Sequence, residues 1–97
     1  MTVIAFVDLV VSLERDNDAP TVISEFLEAT RSFDGCESVE VLADASDGSR
    51  YRVVATWRDE PSETAYREWR RGLGRSPAFG ALLSEAPLLS RFVRTSI

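Results

Sequence analysis

Apolar positions recur along this chain with two periods, near 2 and near 3.6 residues, and the switches between them mark out its elements. Val3 to Val11 is apolar at nearly every position, broken only by Asp8, and predicts a strand covered on both faces. Ser12 to Pro20 is polar and reads as a loop, with Asp18 placed to cap a helix and Pro20 in its first turn. From about Pro20 to Phe33 a helix is expected, with Val22, Ile23, Phe26, Leu27 and Thr30 on one side and Glu25, Glu28 and Arg31 away from it. Asp34-Gly35 ends it. Cys36 to Ala43 alternates Val39, Val41 and Ala43 against Glu40 and Leu42 and predicts a second strand. Asp44 to Ser49 is a hairpin connection in which Asp47-Gly48 is expected to supply the positive-φ residues. Arg50 to Arg58 places Tyr51, Val53, Ala55 and Trp57 on one strand face and Arg52, Val54, Thr56 and Arg58 on the other. Asp59 or Ser62 can cap a second helix that has Pro61 in its first turn, an apolar stripe of Ala65, Tyr66, Trp69 and Leu73, and Gly72 and Gly74 at its end. Ser76-Pro77 opens a short helical turn that buries Phe79, Leu82 and Leu83. Pro87 stops that turn, and Leu88 to Thr95 is the last strand.

The order β-α-β-β-α-β implies a ferredoxin-like α+β fold, an antiparallel sheet with both helices on one face, in a single domain over residues 1–97. Two strands nonetheless carry apolar residues on both faces. The face without helices therefore predicts a partner, and a face-to-face homodimer closing into a dimeric α+β barrel is the simplest one.

Net charge then narrows the functions. At −5, the chain lacks the basic face that nucleic acid or an anionic membrane surface would select, so neither is expected as a partner. Cys36 is the only cysteine: it forms no internal disulfide and no thiolate metal site, and it fits a reducing, cytoplasmic setting. The run MTVIAFVDLVV is too short to span a membrane and lacks the basic flank of a signal peptide. Asp44, Asp47 and Gly48 do not have calcium-loop spacing. No metal site and no cofactor are expected. Histidine and lysine are both absent, which removes the commonest general base and the Schiff-base nucleophile.

Phe33–Cys36 with Val39-Glu40-Val41, the strand ending in Trp57, Ala65-Tyr66 and Trp69 in the second helix, and the closing Pro87–Phe92 resemble the antibiotic biosynthesis monooxygenase-like family of dimeric α+β barrels over nearly the whole chain. The resemblance implies a cofactor-independent monooxygenase acting on an aromatic polyketide or quinol-type small molecule. The same barrel also serves non-oxidative polyketide cyclases and non-catalytic small-molecule-binding dimers, and these stand as alternatives. Haem-degrading relatives bind iron through a histidine that this chain lacks, and the histidine that several oxygenase relatives carry near the second helix is replaced by the run AYREWRRGLG.

Several residues are candidates on this basis. Trp57 can stack an aromatic substrate and donate its indole N–H, or simply pack in the core. Tyr51, Tyr66 and Trp69 can clasp a flat polyphenol, and a phenol can relay a proton. An inward-facing Arg91 can stabilise an enolate or phenolate; Arg52 and Arg58 lie opposite Trp57 and suit the dimer face or solvent. Asp8 can be a general base with a raised pKa, or the partner of a strand arginine across the dimer interface. Arg67, Arg70, Arg71 and Arg75 suit the negative end of the helix dipole. Cys36 reads as a small buried residue rather than a nucleophile, with no histidine to activate it.

Overall fold

The computed structural model describes residues 1–97. In chain order it contains β1 (Val3–Val10), a 3-10 helix (Leu13–Asp18), α1 (Ala19–Ser32), β2 (Cys36–Ala43), β3 (Arg50–Trp57), α2 (Glu60–Arg71), α3 (Pro77–Leu82) and β4 (Leu88–Val93). All strand pairings are antiparallel and the sheet order is β2-β3-β1-β4. This is the ferredoxin-like arrangement expected from the element order, with α3 as a third, short helix.

The register places the residues that matter for function. Ala55 pairs with Ala5, and Ala5 with Arg91. One row nearer the end of β3, Trp57 pairs with Val3, and Val3 with Val93. Alternation sends Val3, Ala5 and Leu9 of β1 and Val53, Ala55 and Trp57 of β3 to the helix side, where all six are buried. Ile23 and Leu27 of α1, Tyr66 of α2, and Phe79 and Leu82 of α3 complete that core. The opposite face holds Ile4, Phe6, Asp8, Val10, Arg52, Val54 and Phe92 and carries no helix.

Four local expectations are corrected. The polar segment after β1 is a 3-10 helix rather than a loop, opened by an i→i+3 bond from the Arg15 amide to the Ser12 carbonyl at 3.0 Å. Asp18 does not cap α1: its backbone is already helical and its carboxylate accepts no cap bond. The β2–β3 connection uses no positive φ at Asp47 or Gly48. Instead Asp44 Oδ1 accepts from the amides of Ser46 and Asp47, and Asp47 Oδ1 accepts from the Ser49 amide, so carboxylates shape the six-residue loop. In α2, Ala65 is exposed and Leu73 lies beyond the helix in full contact with water. The buried positions are Glu63 and Tyr66.

The α2 start follows its signals: Asp59 caps it by accepting from the Ser62 amide at 2.8 Å, with Pro61 in the first turn. Gly35 has φ +93°, and a Cβ there would overlap Ser62, so the α1–β2 turn and the α2 N-terminus touch at the one residue type that fits.

Candidate functional site

Trp57 ends β3 under α2 with no exposed surface. Tyr66 of α2 lies against it at 4.8 Å between ring centroids, and Phe33 meets it edge-on at 6.2 Å. Phe33 also contacts Tyr66 at 5.3 Å and Trp69 at 5.4 Å, so four rings form one cluster. Trp69 is held from outside by Gly74, where a Cβ would overlap its ring.

The polar tips within this cluster are almost all satisfied. Arg70 Nε donates to the Tyr66 hydroxyl at 2.8 Å, and that hydroxyl lies 2.5 Å from Thr30 Oγ1. Arg70 Nη2 donates to Thr30 Oγ1 at 2.9 Å and to the Phe26 carbonyl at 2.8 Å; Nη1 donates to the Gly74 carbonyl at 3.0 Å. An arginine only donates, so Tyr66 donates to Thr30 and Thr30 to the Phe26 carbonyl at 3.3 Å; four of the five guanidinium protons and both hydroxyl protons then have acceptors. The Arg70 guanidinium also lies 3.7 Å from the Phe26 ring centroid. Arg70 thus joins α1, α2 and the following loop. Its place in the sequence suggested only a helix-end cation.

One group is left over. The Trp57 indole N–H is buried and has no hydrogen-bond partner, alone among the buried side-chain polar atoms of the chain.

Next to the cluster lies a second arrangement that the sequence reading missed. Glu63 has 0% exposure, yet its carboxylate accepts from Arg67 Nε at 2.6 Å and from Arg91 Nε at 2.7 Å. The small side chains of Ala5 and Ala55, in register with Arg91, leave room on the sheet for these long groups. Arg91 belongs to the edge strand, and its side chain is 48% exposed, so one edge of the guanidinium is fixed by Glu63 while the rest meets water. A usable signal was present: Glu63, Tyr66, Arg67 and Arg70 follow i, i+3, i+4, i+7 spacing, which places them on one helix face. The sequence reading instead took Arg67 and Arg70 as cations at the helix end and passed over Glu63.

The other candidates lie apart. Asp8 is on the open face and accepts from Arg52 at 2.6 and 3.2 Å. Those hydrogen bonds hold its carboxyl below the usual Asp value, the reverse of the raised pKa a general base would need. Tyr51 shares the helix-side face with Trp57 but starts β3 where Trp57 ends it, about 20 Å away at the rise of a strand, and joins none of the ring contacts. It lines two clefts of about 370 and 280 Å³. None of the five main clefts is lined by Trp57, Tyr66 or Trp69. Burial raises the Cys36 thiol pKa, which disfavours a thiolate nucleophile. No cluster of three His, Cys, Asp or Glu side chains is placed to hold a metal ion, and no helix is long and apolar enough to cross a membrane.

A family model described as antibiotic biosynthesis monooxygenase matches residues 2–82. The chain belongs to that family. Solved structures share the fold of this family member at low identity. A putative antibiotic biosynthesis monooxygenase from Nitrosomonas europaea superposes with a TM-score of 0.83 at 13% identity, over 98% of this chain and 91% of that one. A variant of SnoaB, a cofactor-independent oxygenase from Streptomyces nogalater, gives 0.82 at 14% identity, over 99% and 95%. PA3566 from Pseudomonas aeruginosa gives 0.80 at 15%, over 98% and 95%. No curated protein matches the chain.

Proposed function

We propose that this family member is a cofactor-independent monooxygenase acting on an aromatic polyketide or quinol-type small molecule, working in the cytoplasm as a homodimer joined through the open sheet face. The observation that carries the reading is the partnerless Trp57 N–H. An unsatisfied buried donor costs about 1–3 kcal/mol, and here it is left beside four aromatic rings in a core whose other buried polar side chains are all bonded. A substrate oxygen is the kind of acceptor it lacks.

The reaction converts a CH2 flanked by aromatic rings and dioxygen into a carbonyl and water. The substrate loses a proton, and the resulting anion gives one electron to dioxygen. The radical pair joins as a peroxide, whose O–O bond breaks with loss of water. The chain's part is to bind the flat rings and stabilise the anion. Trp57, Tyr66 and Trp69 supply the aromatic walls. Arg91, oriented by Glu63, supplies a cation where the helix layer ends at β4. Tyr51 and Asp8 belong to this scheme only as distant groups, Tyr51 at the far end of β3 and Asp8 on the dimer face. The substrate's own acidity must supply much of the driving force, because no histidine is present to act as base.

The homodimer is supported by the open face, where Leu42, Leu88 and Phe92 are 47%, 68% and 56% exposed around half-buried Ile4, Phe6, Val10 and Val54.

A second reading is favoured by a different observation. The Tyr66 hydroxyl is fully bonded within the protein and no main cleft reaches Trp57, as expected of a non-catalytic dimer with a solid aromatic core. Oxygen uptake with a panel of anthrones and hydroquinones separates the two. Uptake above the protein-free rate that falls at least tenfold in Trp57→Phe is the expected result. Uptake at the protein-free rate across the panel would remove the oxygenase reading and leave the second one, or the non-oxidative cyclase if anaerobic product analysis shows ring closure.

A further inference from the structure

A groove on the other side of the helix layer has the chemistry of a binding site. α1 covers Val39 of β2 but not Val41, which is 40% exposed although it points to the helix side. The gap this leaves between α1 and the β2–β3 edge is a cleft of about 280 Å³. Its floor is apolar: Ile23, Leu27 and Val41. Pro20, Ser24, Leu27 and Arg31 follow one another at helical spacing, so the cleft runs along three turns of α1, about 16 Å at 1.5 Å per residue.

Its polar groups lie on its walls. Arg31 Nη2 donates to the Val39 carbonyl at 3.3 Å, which ties the guanidinium to the strand. No carboxylate lies within 4.0 Å of it, although the chain has sixteen acidic residues against eleven basic ones. Six other arginines of this chain do form ion pairs or bond a buried hydroxyl. Tyr51 lines the other end of the cleft, in the row of Ala43. A preset, unpaired guanidinium at one end of an apolar trough is complementary to one ligand chemistry, a carboxylate on an apolar body. The volume is near the lower limit for small-molecule pockets, which restricts that body to a small one.

We propose that this groove binds a small apolar monocarboxylic acid, its carboxylate on Arg31 and its hydrocarbon part over Leu27, Ile23 and Val41. The site is separate from the Trp57 cluster and needs no turnover there. It is also on the helix side, so a dimer through the open face leaves it free.

The test is an NMR titration of the ¹⁵N-labelled full chain with hexanoate and 4-phenylbutyrate, with hexan-1-ol as the uncharged control. Saturable shifts are expected at Ser24, Leu27, Arg31, Val41 and Tyr51, with hexanol binding about tenfold more weakly than hexanoate. Arg31→Gln should weaken both acids about tenfold, and Arg31→Lys should keep much of the affinity. Arg31 is exposed, so its variants are expected to fold, and their own spectra verify this. Equal affinity for acid and alcohol, affinity unchanged in a folded Arg31→Gln, or shifts confined to the open sheet face would each overturn the proposal.

Discussion

The two faces of the sheet are built from the same strands but completed by different means. On the helix side, Ala5, Val53, Ala55 and Trp57 are all at most 5% exposed, and a carboxylate and three arginines are drawn into or over the core by directed bonds. On the open side the apolar residues Ile4, Phe6, Val10 and Val54 are half-buried, and Asp8–Arg52 is the one ion pair among them. The contrast shows what a chain of this size does with two helices and a short third. They close one face of the sheet, and an apolar second face is left for another surface to cover.

The ion pairs give the strongest way to test that difference. Glu63 is enclosed, whereas the side chains of Asp8 and Arg52 are 40% and 53% exposed. Glu63→Ala should cost about 3 kcal/mol in urea unfolding, the low end for breaking a buried pair, because Arg67 and Arg91 keep some water. Asp8→Ala should cost about 0.5 kcal/mol, as exposed pairs do. Equal losses would mean the helix side is no more committed to its charges than the open side.

Gly35 and Gly48 repeat the comparison in the backbone. Gly35→Ala places a Cβ on Ser62 at φ +93° and should destabilise by about 2 kcal/mol. Gly48 has no positive φ, and a methyl group there would meet nothing within 4 Å, so Gly48→Ala should change the unfolding midpoint little. A large loss at Gly48 would contradict the carboxylate-built hairpin.

Phe92→Glu addresses the open face alone. Phe92 packs edge-on against Phe6 at 5.3 Å and is otherwise exposed. Sedimentation should show dimer dissociation at concentrations at least tenfold higher than for the unmodified chain, with helix content unchanged. A species that is monomeric before the substitution would remove the proposed dimer.

Most of the fold was legible because it rests on period and punctuation. Val53, Ala55 and Trp57 alternate, Gly35 breaks α1 with a positive φ, and Asp59 caps α2, all as those residue types require. The candidate site was legible only in its apolar half. Trp57, Tyr66 and Trp69 were readable as an inward group, and they do meet. Thr30 was placed on the inward side of α1, but Glu63 and Arg70 were not, because a buried polar residue is identified by partners on other elements. Arg91 is 28 positions from Glu63, and Arg70 is 40 from Thr30. For Asp8 the sequence left two readings open, a general base or the partner of a strand arginine; the structure shows the second, with Arg52 of the same chain, 44 residues away, as that partner. Tyr51 and Trp57 share a face, but face alone does not report their separation along the strand.

Acid gives the smallest expected effect, and its sign follows from the open face. Arg52 holds the Asp8 carboxyl below its usual value of 3.8, chiefly by hydrogen bonding. The unfolded chain therefore binds this proton more readily than the folded one as pH falls below about 4. The pair's contribution is present above that value and is lost as pH drops through the depressed folded one. Because both side chains are partly exposed, the loss is under about 1 kcal/mol and shrinks in high salt. Urea midpoints of the unmodified chain and of Asp8→Asn should be separated at pH 6 and converge as pH falls through the depressed Asp8 pKa. Dimerisation through this face would bury the pair, strengthen it and widen the pH 6 separation as protein concentration rises. A separation independent of concentration would place Asp8 outside any dimer interface, and with it the face that the helices leave open.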